Sequence, residues 1–137
     1  MPTTPMPGLL LCAIPVAAFL VYVPFVATAV ARFQLGYDRS APRAMFDKLP
    51  PYAQRATWAH QNGFEAFIHF AAAVLMAYVT GQTSTLALGA AIAHLVARGL
   101  YGLFYILDVP NARSLMYAIG SLSTFTLFVM ACRSALL

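Results

Sequence analysis

Four apolar stretches, at about residues 8–33, 52–79, 85–107 and 112–135, fill almost the whole chain. A helix needs about 20 apolar residues to cross a bilayer, so each stretch is long enough to span. Residues 1–137 read as a single membrane domain with no room for a separate soluble one. Composition agrees: 61% of residues are hydrophobic and 9% charged, against about 25% charged in a soluble domain. The expected fold is all-α and integral to the membrane, an antiparallel four-transmembrane-helix bundle. The net charge of +4 is small and local, and nothing in it points to nucleic acid.

The breaks between stretches set the topology. Residues 34–51 form one long polar connection, whereas residues 80–84 and 108–111 are tight turns, which imply antiparallel neighbours. Pro15 and Pro24 interrupt the first stretch, a disturbance that transmembrane helices tolerate. The first residues, Met-Pro-Thr-Thr-Pro-Met-Pro-Gly, have no basic segment, so residues 9–32 read as a retained helix rather than a cleaved signal. Of the eight basic residues, five (Arg32, Arg39, Arg43, Lys48 and Arg55) lie in or beside the first connection, and Arg98 and Arg113 flank the third. The positive-inside rule then places loops 34–51 and 108–111 in the cytoplasm and both termini on the other side. Cys12 and Cys132 have no metal-ligand spacing and are expected to be buried apolar residues.

Polar residues recur at helical spacing within the apolar stretches. Arg55, Asn62, Glu65 and His69 are separated by seven, three and four. His94, Arg98, Tyr101, Tyr105 and Asp108 step by four, three, four and three, and Arg113, Tyr117 and Ser121 by four and four. Such steps keep one helix face. The topology brings most of these groups, with Arg32, to the same end of the bundle. Ionisable groups are costly in lipid and usually face the interior or a water-filled cavity, so their convergence marks a site.

The chemistry suits a small zwitterion with several carboxylates. Arginines present fixed donors for carboxylates. Glu65 can pair with an arginine or receive an ammonium, and Asn62 both donates and accepts. An arginine beside a bound thiol favours the thiolate. Blander readings stand beside these. Arg32, Arg39, Arg43 and Lys48 are orientation determinants at the headgroups. Arg98 and Glu65 form an interhelical ion pair, and Tyr101 and Tyr105 belong to an interfacial aromatic belt. His60 and His94 are structural. A di-metal helix bundle needs Glu-x-x-His twice; Glu65-x-x-x-His69 has no second copy, so no metal is expected.

The run Arg55-Ala-x-x-Ala-His-Gln-Asn62-x-x-Glu65 resembles the MAPEG family, the membrane-associated proteins of eicosanoid and glutathione metabolism. The second half agrees: Arg98-x-x-Tyr101-x-x-x-Tyr105, a short loop with Pro110, then Arg113-Ser114-x-x-Tyr117. The likeness covers essentially the whole chain. It implies a homotrimer with glutathione as co-substrate, bound between subunits near the cytoplasmic side. By position, Asn62 and Glu65 would hold the glutathione backbone, with Arg55 one turn further back. Arg32 and Arg98 would take its carboxylates, and Tyr101, Tyr105 and Tyr117 would line the pocket. Arg113 would stabilise the thiolate, with Ser114 as a second donor.

The implied activity is that of a membrane glutathione transferase or peroxidase acting on hydrophobic electrophiles or lipid hydroperoxides. The chain's compactness fits a bacterial inner-membrane protein. It departs from the family pattern at Trp58, where glutathione-using members often carry arginine, and at Gln61, where some members do. The alternative is therefore a non-catalytic binder of lipid or a small anion. A transporter fits less well, because the ionisable groups do not run across the full depth of the bilayer.

Overall fold

A computed structural model describes residues 6–137. Among the described residues the regular elements are all helical: α1 (Met6–Gln34), a short 3₁₀ helix (Pro42–Lys48), α2 (Pro51–Val79), α3 (Thr85–Ile106) and α4 (Pro110–Leu136). All four long helices are long and apolar enough to cross a membrane. The chain is an integral membrane four-helix bundle.

Local chemistry accounts for the boundaries. Pro51 and Pro110 occupy the first turns of α2 and α4, where the missing N–H is no loss and the fixed φ suits a helix. Ser84 caps α3, its side chain accepting from the Ala87 N–H at 3.2 Å. Gly81 closes α2 at φ +68°, a left-handed conformation that glycine enters without steric cost. Beside it, Gln82 Nε2 donates to the Met130 carbonyl at 3.1 Å and to Ser134 Oγ. That links the α2–α3 turn to the end of α4. Asp108 also has positive φ, +59°, which an aspartate tolerates better than a bulky residue does.

The helices pack with α2 and α3 central. α1 contacts both of them, and so does α4. The main core lies at the Gly81 end and is dominated by small side chains, among them Ala13, Ala17, Ala73, Ala77, Ala87 and Ala91, closed by Phe70 and Leu127. Small residues let helix backbones approach closely, which drives association where lipid supplies no hydrophobic contrast. Between α1 and α3 a Cβ on Gly102 would come within 3.1 Å of Pro24 Cγ.

The opposite half, toward the 34–51 connection, has only a small apolar cluster of Ala31, Leu49 and Ala53, with Phe46 against it. Here buried polar pairs replace it. Thr28 and Thr57 hydroxyls lie 3.1 Å apart, and Thr57 donates to the Ala53 carbonyl at 2.9 Å. The connection is not merely a polar loop. Its 3₁₀ helix buries Met45, and Leu49 is also buried, because these are its apolar positions and can cover the ends of α1 and α2.

One sequence expectation is overturned. Cys12 and Cys132 are exposed on the surface of the bundle, not buried. In a membrane helix the outer face is apolar too, so an apolar residue type does not tell inside from outside.

Candidate functional site

The polar stripes converge in the half of the bundle that lacks the alanine core. On α2, Asn62 and Glu65 are one helical turn apart, and Asn62 Nδ2 donates to Glu65 Oε2 at 3.3 Å. From α3, Arg98 Nη2 donates to Asn62 Oδ1 at 3.0 Å. The carboxamide therefore stands between the guanidinium and the carboxylate. Among the described residues, no direct contact within 4 Å joins Arg98 and Glu65; the ion pair present is Arg55–Asp108.

These groups open onto a cavity of about 280 Å³ lined from α2, α3 and α4. Asn62, Arg98 and Tyr117 form its upper rim, toward the connection. Glu65, His69, His94, Ser121, Thr124, Phe125 and Phe128 line it further down. Gly120 is the reason Arg98 can lie there: a Cβ at that position would stand 3.4 Å from Arg98 Cδ. The missing side chain makes room for the arginine stem.

A second, shallower cavity of about 260 Å³ is walled by Tyr101, Tyr105, Arg113, Ser114 and Tyr117. Its residues are coupled by ring contacts. Arg113 Cζ lies 4.6 Å from the centre of the Tyr105 ring, and Arg98 Cζ 4.1 Å from that of Tyr101. Both are within cation–π range. Tyr101 meets Tyr105 edge-on at 5.5 Å between centroids. Tyr117 belongs to both cavities, so it is their shared wall.

The structure thus brings together Asn62, Glu65, Arg98 and Tyr117 around one cavity, and Tyr101, Tyr105, Arg113, Ser114 and Tyr117 around the other. Two of the candidate arginines line neither. Arg55 donates from Nε and Nη2 to the Ile106 carbonyl, at 3.2 and 3.0 Å, and its Nη1 lies 3.8 Å from Asp108. It closes the end of α3, where helical carbonyls lack intrahelical partners. Seven residues are close to two turns, but over that distance Arg55 has moved beyond the depth of Asn62 and meets a different neighbour. Arg32 is buried on α1 with its guanidinium 5.7 Å from the Phe25 ring centre. Its Nε has no hydrogen-bond partner among the described residues.

Some lining residues stand outside the candidate set drawn from the sequence. Thr124, Phe125 and Phe128 extend the α4 stripe deeper than Ser121, and Gly120 lies just above it. Thr124 follows Ser121 at a helical step of three, a signal present in the spacing. Gly120 carries none, because its role is to be small opposite Arg98. His60 sits apart, its Nδ1 2.7 Å from the Val21 carbonyl and its ring among Tyr22, Phe25 and Phe64.

The arrangement can bind a small polar molecule with both charge signs. It offers a carboxylate, two guanidiniums and a carboxamide, with phenol rings as walls. No curated protein and no solved structure matches this sequence. The family model described as "MAPEG family" matches residues 9–133, nearly the whole chain, and the chain belongs to the MAPEG family.

Proposed function

We propose that the protein is a membrane glutathione transferase or peroxidase, working as a homotrimer on hydrophobic electrophiles or lipid hydroperoxides. The observation that carries this reading is the chain Arg98–Asn62–Glu65 at the rim of one cavity, with the Arg113–Tyr105 pair next door behind Tyr117. Each cavity alone falls just short of the roughly 300–1,000 Å³ usual for small-molecule sites. A tripeptide would therefore span both, passing Tyr117.

In this reading Glu65 receives the ammonium, Asn62 the backbone amide, and Arg98 a carboxylate. The thiol lies in the shallow cavity, where the Arg113 guanidinium favours its thiolate and Ser114 is a second donor. In conjugation the thiolate forms a bond to an electrophilic carbon as the leaving group departs with its electron pair. With a hydroperoxide, the thiolate sulfur takes the terminal oxygen and the O–O bond breaks to give the alcohol. A second glutathione then yields the disulfide and water. Orientation follows the basic residues, with loops 34–51 and 108–111 cytoplasmic, and the setting is a bacterial inner membrane.

Titration of glutathione into the purified protein, together with conjugation of a generic electrophile, tests the reading. Heat of binding and thioether formation are expected. Absence of both in several detergents removes it.

A specific observation favours a second reading, a non-catalytic binder of lipid or a small anion. Trp58, in place of an arginine, packs on Phe46 of the connection at 5.6 Å between ring centres, so that position is devoted to packing. Gln61 is exposed. Lipid that co-purifies stoichiometrically, with no thermal shift on adding glutathione, would establish the binder.

A further inference from the structure

The wall that carries Asn62 and Glu65 continues to a third polar group, which the thiol chemistry does not use. His69 follows Glu65 by one turn of α2, lines the same cavity and is exposed. Side chains on a helix lean toward its N-terminus, so the imidazole lies back over the turn of Glu65. Its Nδ1 is 2.7 Å from the Glu65 carbonyl oxygen. A carbonyl only accepts, so Nδ1 bears the hydrogen and Nε2 of the neutral ring is an acceptor. Nδ1 is tied to the backbone of its own helix, which leaves Nε2 at the outer tip of the ring. Among the described residues Nε2 has no hydrogen-bond partner.

Charge is ordered along this wall. Arg98 is at the upper end, with Nη2 on Asn62 Oδ1 and Cζ 4.1 Å from the Tyr101 ring centre. Asn62 Nδ2 reaches Glu65 Oε2 from that side, and His69 follows on the side of Glu65 away from Asn62. A group in which one carbon carries both an ammonium and a carboxylate matches the order. Its carboxylate lies toward Arg98 and its ammonium toward Glu65 and His69. An ammonium has three N–H donors, and Glu65 Oε2 already accepts from Asn62. A donor left unpaired away from water costs free energy. The imidazole one turn along supplies the next acceptor.

We infer that His69 Nε2 is a specificity-determining acceptor which, with Glu65, holds the α-ammonium of the γ-glutamyl group. It makes the site selective for a thiol peptide with a free amino end. The inference rests on the reading of glutathione as the ligand of this cavity.

Three peptides are the probes, titrated calorimetrically into the detergent-solubilised full chain. They are glutathione, the glutaryl-Cys-Gly analogue that lacks the amino group, and the γ-aminobutyryl-Cys-Gly analogue that lacks the α-carboxylate. His69→Ala should lower affinity for glutathione and for the γ-aminobutyryl peptide roughly tenfold, the increment of one hydrogen bond to a charged group. Affinity for the glutaryl peptide should not change. No loss, or an equal loss for all three, overturns the role of His69, while glutathione binding to the wild-type chain leaves the proposed function standing. A loss confined to glutathione and the glutaryl peptide makes His69 a donor to the carboxylate and also overturns the assignment. Absence of glutathione binding to the wild-type chain removes both readings. His69 is exposed and its one bond is to its own helix, so its replacement empties no core. His69→Phe, which fills the space without an acceptor, should repeat the pattern and decides the question if His69→Ala does not fold.

Discussion

Asn62 and Arg98 are joined across α2 and α3 by a 3.0 Å hydrogen bond from the guanidinium Nη2 to the carboxamide Oδ1. The other end of the carboxamide donates to Glu65 at 3.3 Å. A charged donor and a charged acceptor are thereby held in register without closing on each other as an ion pair. Each retains capacity for a ligand, and the interposed asparagine can both donate and accept.

Asn62→Ala removes that link. A hydrogen bond to a charged group contributes about 1.5–3 kcal/mol, so glutathione affinity should fall by about ten- to a hundredfold. Glu65→Gln, which retains shape but loses the charge, should also weaken binding. Both variants should elute at the wild-type position in size-exclusion chromatography. Isothermal titration of each variant checks the affinities.

Arg113 and Arg98 should separate kinetically. If the Arg113 guanidinium over Tyr105 acts on the thiolate, Arg113→Ala should lower kcat by about a hundredfold, the scale of losing one charge-stabilising donor. Its KM for glutathione should change little. Equal losses in kcat and affinity would make Arg113 a binding residue only. Steady-state kinetics with an excess of electrophile distinguishes the outcomes.

Arg55 should matter for stability and not for the ligand. Its two bonds to the Ile106 carbonyl close the end of α3. Arg55→Ala should cost about 1–2 kcal/mol with glutathione affinity unchanged. Asp108 is 64% exposed, and such pairs contribute little. Asp108→Asn should therefore leave the melting temperature near that of the wild type. Thermal unfolding in detergent reads both.

Gly102→Ala should destabilise by about 1–3 kcal/mol, the usual effect of overpacking. The new Cβ would meet Pro24 Cγ at 3.1 Å, and a proline ring has no rotamer in which to retreat. Gly89→Ala is the control, because nothing lies within 4 Å of a Cβ there. A clear drop in melting temperature for Gly102→Ala alone is the expected pattern.

The spans and the concentration of polar groups toward one end could be read along the chain. Hydropathy is a local property, and a helical step of three or four keeps residues on one face whatever surrounds them. That reasoning reaches Asn62, Glu65, Arg98 and Tyr117. It does not reach the neighbours that a side chain meets across a helix interface, which depend on helix rotation, tilt and depth. Arg55 belongs to the α2 stripe by spacing, but it lies beside the end of α3 and is drawn to the open Ile106 carbonyl. Cys12 and Cys132 have the residue type of a core and the position of a surface, since in lipid both are apolar. The division of the site into two cavities with Tyr117 between them, and the contacts of His94 with Gly120 and Thr124, arise from groups far apart in the chain. Periodicity places each group on its own helix; packing alone brings those helices into contact and determines which atoms meet.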